Sequence, residues 1–504
     1  MTTASAGSEK SSFRAMTTAL LIAAISLMMF ASFFPGMSNP DTANEYIGIL
    51  RGSYSDWHPP MMAFLWNGIE AILPGKAGLF LIFAAVYGIC AFALALCAIQ
   101  ISLATSVLVT AIVIFPGLLT QGAMLFKDFL MAVVLVCAAV AGAQVFRTTE
   151  IRRYLWLFTA AAVAVIGLLL RTNAVFAVSP IIAGLLLEKK PLGLRRLVLS
   201  SVLLSVVLIP ISTLVNDVAF RPLKMSVANS LFIFDFAGIT HFSGVNVFPA
   251  ELSQVYVIQD NATCYSPQWW DPFIDWRDFH AERFGKTEPL RVAFVADSRF
   301  AACQAVWRIM RLANLEQGRT FSGDWLLALA RHPVSYLAHR VSHFNETLEF
   351  LVPVSRSVSR ASEQINPFGW TFAVNPLSDA IIKIANVLGS TPLCWPFLWL
   401  LVGIVTLFHA RSLRDESTRR LVMSLSLSGT LYTAGFPVVG VAYGYRYHAW
   451  LFLSCGASAA LLIGSTARDR SLRPLAFHYA ISVVPLVTLA ALWRYFKIPA
   501  PYLL

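Results

Sequence analysis

The chain has 504 residues, of which 57% are hydrophobic and only 13% are charged, and its mean hydropathy is +0.67. Soluble proteins carry roughly 25% charged residues, so this composition excludes an ordinary soluble enzyme. Several apolar runs reach the roughly 17–25 residues that a helix needs to cross a bilayer. The sequence therefore predicts an all-α polytopic membrane protein.

The net charge of +11 follows the membrane topology. Basic residues cluster between the apolar runs, and with a cytoplasmic N-terminus every cluster falls inside, as the positive-inside rule requires. We interpret the excess charge as a contact with anionic membrane lipids and expect no nucleic-acid partner. The clusters are Lys10/Arg14, Arg147/Arg152/Arg153, Lys189/Lys190/Arg195/Arg196, Arg411/Arg414/Arg419/Arg420 and Arg468/Arg470/Arg473.

The apolar pattern predicts about eleven spans. Two shorter apolar segments, Met61–Leu73 and Ala380–Val387, are predicted to be interfacial helices, because neither is long enough to cross comfortably. The predicted spans are 14–34, 77–99, 101–117, 129–146, 154–170, 174–187, 197–215, 395–409, 421–437, 449–465 and 475–494.

This topology divides the chain into three predicted parts. Residues 1–215 form an N-terminal membrane module whose first outer loop, 35–60, carries the chemistry. Residues 216–394 form a large extracytoplasmic loop domain, and residues 395–504 form C-terminal membrane helices. Cys264 and Cys303 are the two cysteines outside the predicted spans and their immediate ends. In an oxidising compartment we expect them to pair, with two free buried thiols as the alternative.

The first outer loop concentrates ionisable side chains at a membrane face, where they are costly to keep. Asp41 and Asp56 are candidate general bases, with His58 beside them, because a partly desolvated carboxylate can accept a proton from a hydroxyl. The alternative for Asp41 is that it caps a short helix, Thr42–Arg51, after Pro40.

Further polar residues lie at the same predicted outer ends of the spans. Lys127 can neutralise a phosphate while Asp128 orients it or holds a divalent metal with it; a salt-bridged helix start is the alternative. Arg171 must meet an anion or extend to the interface. Arg446 can bind a phosphate in a bidentate manner, and the adjacent Tyr445 suits the same headgroup.

In order and side, these motifs resemble those of the GT-C membrane glycosyltransferases. The first loop is similar to that of a bacterial branch of the family, and the resemblance covers roughly residues 14–215 and 421–450. The matching residues are Pro35-Gly36, Asp41, Asp56-Trp57-His58-Pro59, Lys127-Asp128, Arg171-Thr172-Asn173 and Arg446-Tyr447.

The resemblance implies a GT-C-like helix bundle in a bacterial inner (plasma) membrane. Such enzymes transfer a sugar from a polyprenyl-phosphate donor to a lipid, glycan or protein acceptor on the extracytoplasmic face. The first-loop acid acts as base, which corresponds to Asp41, and basic residues at helix ends hold the carrier phosphate. Many members carry an Asp-Glu pair in this loop, whereas here Thr42 follows Asp41. The base therefore stays open between Asp41 and Asp56.

Two other functions would also suit the composition. A transporter or flippase of lipid-linked sugars is expected to place ionisable residues or broken helices near the middle of the membrane. A non-catalytic scaffold for envelope assembly would not need the Asp41 cluster. The sugar-transfer hypothesis requires Asp41, Lys127, Arg171 and Arg446 to meet in one place.

The predicted orientation can be tested with reporter insertions. A reporter that is active only in the cytoplasm is expected to be silent when inserted near Asp271, because that residue lies in the predicted outer loop. The same reporter in the Arg147–Arg153 segment should be active. Cytoplasmic activity near Asp271 would overturn the predicted topology.

Overall fold

We describe the protein from a computed structural model covering residues 3–187, 192–274, 298–354, 361–364 and 366–501; side chains are described from residue 13 onward. Over these residues the chain forms α-helices and short 3-10 turns, with isolated β-bridges in place of strands. The helices up to residue 264 are α1 (Thr3–Ala31), α2 (Pro40–Leu50), α3 (Met61–Glu70), α4 (Lys76–Ile99), α5 (Leu103–Val113), α6 (Pro116–Ala123), α7 (Lys127–Val145), α8 (Glu150–Leu170), α9 (Val175–Leu186), α10 (Leu194–Phe220), α11 (Ala228–Ser243), α12 (Ala250–Ser253) and α13 (Asn261–Cys264).

The rest of the chain continues in the same all-helical manner. Its helices are α14 (Ala301–Gln317), α15 (Ser322–Arg331), α16 (Pro333–Leu348), α17 (Pro376–Gly389), α18 (Pro396–Ala410), α19 (Glu416–Ala434), α20 (Phe436–Val439), α21 (Ala449–Asp469) and α22 (Arg473–Tyr495). The two predicted interfacial segments coincide with α3 and α17, respectively.

The molecule is a multi-pass membrane protein. Among the described residues, eight helical segments are long and apolar enough to cross a bilayer, and the bent pair α5–α6 makes a ninth if it counts as one span. Two shorter apolar helices, Thr172–Leu186 and Pro396–Ala410, account for the remaining predicted spans. The eight segments are Phe13–Ala31, Lys76–Ile99, Lys127–Val145, Glu150–Leu170, Leu194–Phe220, Glu416–Val439, Tyr445–Asp469 and Arg473–Tyr495.

The bend between α5 and α6 measures 45° and has a local cause. Pro116 opens α6 and cannot donate a backbone hydrogen bond, and it disfavours helical geometry at Phe115. The bend directs α6 toward the first loop, where the carbonyl of Ala123 accepts a hydrogen bond from the backbone N–H of Met37 at 2.8 Å.

Helices α7 and α21 form the centre of the bundle, since 89% of the apolar window of each is buried. The corresponding share for α22 is only 11%, so α22 presents most of its apolar surface to lipid. A helix that is apolar on all sides is stable when it is surrounded by other helices. Polar residues at the first turn of α7 are therefore held at the middle of one end of the bundle.

Basic residues collect at the opposite end. Arg147, after α7, donates to the side-chain oxygen of Gln100 at 2.5 Å. Arg420, near the start of α19, donates to the carbonyls of Gly184 and Leu187 at 3.0 and 2.7 Å. These contacts place several of the predicted cytoplasmic clusters at one pole; Lys10, Lys189 and Lys190 lie outside the side chains that are described. We call the other end, with Lys127, the site pole.

The region between α10 and α18 packs in two ways. Buried residues between Met225 and Ile274 and between Cys303 and Ala328 form a core of their own. Residues 361–389 instead pack on the membrane bundle: Glu363 accepts a hydrogen bond from the Ser38 backbone N–H at 3.1 Å and pairs with Lys76 at 2.5 Å. The side chain of Asn375 donates to the Ser32 carbonyl at 2.5 Å. This segment therefore secures the beginning of the first loop and the start of α4, while the predicted three-part division stays a prediction.

Cys264 and Cys303 form a disulfide that joins α13 to α14 across a sequence separation of 39 residues. We expect five of the seven cysteines to react with a maleimide after denaturation without reductant, and all seven after reduction. In the chain-entropy model a closure of this length stabilises the fold by about 4 kcal/mol, so Cys303→Ala should lower the melting temperature. Labelling of all seven cysteines without reductant would show that the bridge does not form.

Candidate functional site

The first loop is fixed by Asn39, which caps α2. Its side-chain oxygen accepts the backbone N–H of Thr42 at 3.1 Å, and its amide donates to the carbonyl of Met124 at 2.5 Å. Asn39 therefore provides a hydrogen-bond acceptor for the first turn of α2 and connects that turn to the segment just before Lys127. Asp41 is not the cap, so its carboxylate remains available for other partners.

Asp41 forms an ion pair with Arg446. The guanidinium Nη1 donates to Oδ2 of Asp41 at 2.6 Å, and Nε2 of His58 lies 3.4 Å from Oδ1 of the same carboxylate. Three predicted site residues from distant parts of the sequence thus share one carboxylate. His58 is held there because the preceding Trp57 packs against Trp270 in the core of the loop domain, with ring centroids 6.0 Å apart.

Two more ion pairs lie behind the first. Nζ of Lys127 is 3.6 Å from Oε1 of Glu45, one turn along α2 from Asp41. Nη1 of Arg171 is 3.0 Å from Oδ1 of Asp128. Buried charges are stable only when they are paired. Glu45 and Asp128 therefore stabilise Lys127 and Arg171, respectively, at the ends of their apolar helices.

Aromatic rings separate and orient the two arginines. Tyr447 has the guanidinium of Arg171 at 5.2 Å from its ring centroid and that of Arg446 at 4.9 Å. Arg446 also lies 4.7 Å from the centroid of Phe126. Cation–π contacts of this kind favour a fixed guanidinium plane, so Phe126 and Tyr447 present the arginines in defined directions.

Tyr445 is directed away from these residues. Its hydroxyl donates to Sγ of Cys394 at 3.9 Å and its ring packs on Phe452 with centroids 4.8 Å apart. Tyr447 occupies the place beside Arg446 that the sequence suggested for Tyr445. The sequence does not single out Tyr447 for this position, because alternate aromatic residues in a short turn give no signal of which one faces the arginine.

The cluster has an accessible layer and a buried layer. The side chains of Asp41 and Arg446 are 26% and 24% exposed. Those of Lys127 and Glu45 are only 4% and 5% exposed. A ligand approaching the site pole would therefore meet the Asp41–Arg446 pair first.

The charges of the cluster determine the protonation of Asp41 and His58. Burial alone would raise the pKa of Asp41, but Arg446, His58 and Lys127 outweigh it and hold that pKa well below its usual range. Burial lowers the pKa of His58 to about 3, assisted by the positive charge of Lys127. At neutral pH Asp41 is ionised and His58 is neutral, so His58 can orient the carboxylate without adding charge.

Asp56 has different partners from Asp41. Its Oδ1 accepts the backbone N–H of Met225 at 2.7 Å, and Nζ of Lys224 lies 3.7 Å from its Oδ2. Its backbone N–H also donates to the carbonyl of Leu223 at 3.0 Å. Asp56 therefore joins the first loop to the chain that follows α10.

The residues of the site do not fit a metal ion. Asp128, the predicted metal ligand, faces the guanidinium of Arg171. Over the part of the chain that the structure describes, no three His, Cys, Asp or Glu side chains lie in an arrangement that could hold a metal. The charge that a divalent metal would supply is present instead on Arg446, Arg171 and Lys127.

A cavity of about 270 Å³ lies beside the C-terminal end of α2. Arg51, Lys224 and Arg311 contribute positive charge to its wall, and Tyr54 contributes an aromatic surface. A smaller cavity shares Tyr54 with it and reaches His58.

The segment before Arg446 is held by the loop domain. Its backbone pairs with residues 268–270: Trp270 donates to the carbonyl of Val441 at 3.0 Å, and Tyr443 donates to that of Gln268 at 2.8 Å. Arg340, in α16, donates to the Gly440 carbonyl at 2.6 Å. These hydrogen bonds set the position from which Arg446 reaches Asp41.

Arg340 is itself held by an ion pair with Asp235. Nη2 of Arg340 lies 2.6 Å from Oδ1 of Asp235, and both side chains are buried. Gly440 has no room for a side chain, since a Cβ there would lie 2.6 Å from the Phe436 carbonyl and 2.8 Å from Nε2 of His343. The loop domain is thus a rigid support for this side of the site.

Asp271 follows the paired segment and was not predicted from the sequence. Its carboxylate is half-buried and interacts electrostatically with both Arg446 and Asp41. Burial raises its pKa to about 6; Arg446 opposes that change and Asp41 adds to it. The local sequence, an Asp-Pro pair after two tryptophans, does not indicate that Asp271 lies close to Arg446 and Asp41.

No family model matches the chain, and no curated protein matches it. Among solved structures the chain is similar to the crystal structure of ArnT from Cupriavidus metallidurans in the apo state. The identity is 12%, the match covers 89% of this chain and 77% of that chain, and the TM-score is 0.31. A match at this identity and TM-score does not support a functional assignment. The functional proposal therefore rests on the residues of the site.

The contacts of Asp56 predict a structural role. Asp56→Ala removes a hydrogen bond to a charged acceptor and should lower the free energy of unfolding by about 1.5–3 kcal/mol. Asp56→Asn can still accept the Met225 N–H and should cost less. Thermal unfolding in detergent and limited proteolysis would measure both. If Asp56→Asn were as stable as the wild type but inactive, Asp56 would have the chemical role.

Proposed function

We propose that the protein transfers a sugar from a polyprenyl-phosphate-linked donor to a lipid, glycan or protein acceptor of the cell envelope. The transfer would take place at the site pole, on the extracytoplasmic face of a bacterial inner membrane. The observation that carries the proposal is the meeting of Asp41, Lys127, Arg171 and Arg446 in one partly accessible cluster. The resemblance of the surrounding motifs to GT-C glycosyltransferases supports the same reaction class.

The cluster suits a phosphate attached to a membrane lipid. Three cations lie at the ends of apolar helices, where the headgroup of a lipid resides. Arg446 lies in the accessible layer and offers two nitrogens, Nη1 toward Asp41 and Nη2 toward the Tyr447 hydroxyl at 3.1 Å. Guanidinium binds phosphate oxygens in a bidentate manner, so an incoming phosphate can replace Asp41 as the partner of Arg446.

This exchange would also activate the base. While Arg446 pairs with Asp41, the carboxylate is too weakly basic to take a proton from a hydroxyl efficiently, because general bases work best with a pKa near the working pH. A phosphate that engages Arg446 neutralises the largest positive influence on Asp41. The pKa of Asp41 then rises, so donor binding precedes proton abstraction.

In the reaction, Asp41 accepts the proton of an acceptor hydroxyl as the acceptor oxygen forms a bond to the anomeric carbon. The bond between that carbon and the donor phosphate oxygen breaks, and polyprenyl phosphate leaves with the bonding electrons. Arg446, Arg171 and Lys127 stabilise the negative charge that develops on the phosphate. His58 keeps the carboxylate of Asp41 directed toward the acceptor.

The transporter and scaffold alternatives receive less support. Lys127 and Asp128 lie in the first turn of α7, and Arg171 directly follows α8. These charges lie at helix ends, whereas a transporter is expected to place its site near the middle of the membrane. A scaffold would gain nothing from three buried ion pairs, because such pairs contribute little to stability compared with apolar packing.

We expect Asp41→Asn to abolish transfer while the protein stays folded and inserted. Asn39, not Asp41, caps α2, so the substitution removes the base and leaves the helix start intact. Loss of general-base catalysis typically lowers a rate 10²–10⁴-fold. The measurement is mass spectrometry of envelope glycolipids and glycans from a deletion strain complemented with each variant.

The matched control is Asp56→Asn, which changes the other first-loop aspartate in the same way. Product levels close to wild type are expected for this variant. Loss of the product in Asp56→Asn with retention in Asp41→Asn would make Asp56 the base. If neither substitution changes any envelope component, the sugar-transfer proposal is wrong and a transporter becomes the better hypothesis.

A further inference from the structure

Within the described part of the chain, the site has one more carboxylate than it has cations to pair with it. Asp41, Glu45 and Asp128 each lie within ion-pair distance of a different cation: Arg446, Lys127 and Arg171, respectively. Asp271 is the additional acid. Over the described residues its carboxylate has no hydrogen bond or ion pair, although it is half-buried.

The position of Asp271 is set by the backbone and does not depend on a flexible side chain alone. Residues 268–270 pair with residues 441–443, and Asp271 opens the 3-10 turn Asp271–Phe273 directly afterwards. The other paired segment, residues 441–443, ends three residues before Arg446. This backbone pairing brings Asp271 close enough to Arg446 for the two side chains to interact electrostatically.

Among the residues that the structure describes, the charged groups that act on Asp271 come from two elements. Arg446 precedes α21, and Asp41 lies in the first turn of α2. Helix α14 packs on the turn that Asp271 opens, where the ring of its Trp307 lies 5.1 Å from that of Trp270. The protonation of Asp271 therefore depends on the charges of Asp41 and Arg446.

We propose that Asp271 takes up a proton when a lipid phosphodiester binds to Arg446, so that phosphate binding and protonation of this carboxylate are coupled. This rests on the proposed function, since it assumes that the anion bound at Arg446 is the donor phosphate. A phosphate beside Arg446 adds a negative charge close to an unpaired carboxylate. Protonation of Asp271 removes that repulsion. Glu45 and Asp128 keep Lys127 and Arg171 beside them, and Asp41, once Arg446 has turned to the phosphate, still has His58 at 3.4 Å and the positive charge of Lys127 acting on it.

The sign of the pH dependence follows from the coupling. Burial raises the pKa of Asp271 to about 6, so the carboxyl is protonated below pH 6 and ionised above it. Phosphate binding raises this pKa further, because a nearby negative charge favours the protonated form. By reciprocity the phosphate binds more tightly at about pH 5 than at about pH 8.

A prenyl methyl phosphodiester is a suitable probe, because its single negative charge does not titrate between about pH 5 and pH 8. For the full-length protein in detergent we expect its affinity to rise about tenfold from pH 8 to pH 5, within the usual range for coupled sites. Asp271→Asn should lose most of this pH dependence and bind the probe about tenfold more tightly than wild type at pH 8. Asp271→Glu should restore the pH dependence.

Proton uptake can be measured directly. Calorimetric titration near neutral pH in buffers with different heats of ionisation should show protons taken up by wild type and none by Asp271→Asn. Asp379→Asn is the matched control, since Asp379 is exposed and pairs with Lys383 on the surface of α17; this variant should behave as wild type. Thermal unfolding of each variant verifies that it is folded.

The outcomes separate this inference from the proposed function. If the probe binds wild type but the pH dependence and proton uptake persist in Asp271→Asn, the coupling to Asp271 is wrong and the anion site stands. If Asp271→Asn does not fold, a wild type whose affinity for the probe is independent of pH would equally reject the coupling. If the probe does not bind wild type at any pH, both the anion site and the coupling are wrong.

Discussion

The ion pair between Asp41 and Arg446 is the contact on which the site depends, since it joins residues 405 positions apart in the chain. Asp41 reaches it from a short helix tied to the segment before α7, and Arg446 reaches it from a turn before α21. Removing one partner of a buried pair leaves an uncompensated charge at a cost of several kcal/mol. The pair therefore favours one arrangement of the first loop against the centre of the bundle.

The supports of this pair come from three parts of the chain. The membrane bundle contributes α7 and α21. Because both helices are buried, they fix the positions of Lys127 and of the turn that contains Arg446. Glu363 secures the first loop from outside the loop-domain core. The loop domain holds the chain before Arg446 through Arg340. Residues of the large loop therefore help to position the side chains of the site.

Charge balance explains how Asp41, Glu45 and Asp128 coexist as ions with their three cations in a largely apolar setting. Electrostatic interactions strengthen as the surroundings become less polar, and so does the cost of an unpaired charge. Three matched pairs meet that condition when the site holds no anion. An anionic substrate disturbs the balance, and the accessible Asp41–Arg446 pair is where the pairing can rearrange. In this arrangement substrate binding and the reactivity of Asp41 follow from one exchange of partners.

The sequence by itself determined the membrane class, the positions of the helices and the polar residues at their ends, because hydropathy and span length are local properties of the chain. Asp41, His58, Lys127, Arg171 and Arg446 were predictable in the same way, since ionisable residues beside apolar runs are conspicuous. The tertiary structure alone decided which of them meet. It assigned the helix cap to Asn39, directed Asp56 to Met225 and Tyr445 to Cys394, and placed Tyr447 and Asp271 beside Arg446. Those choices depend on contacts between residues far apart in the chain, which no local pattern records.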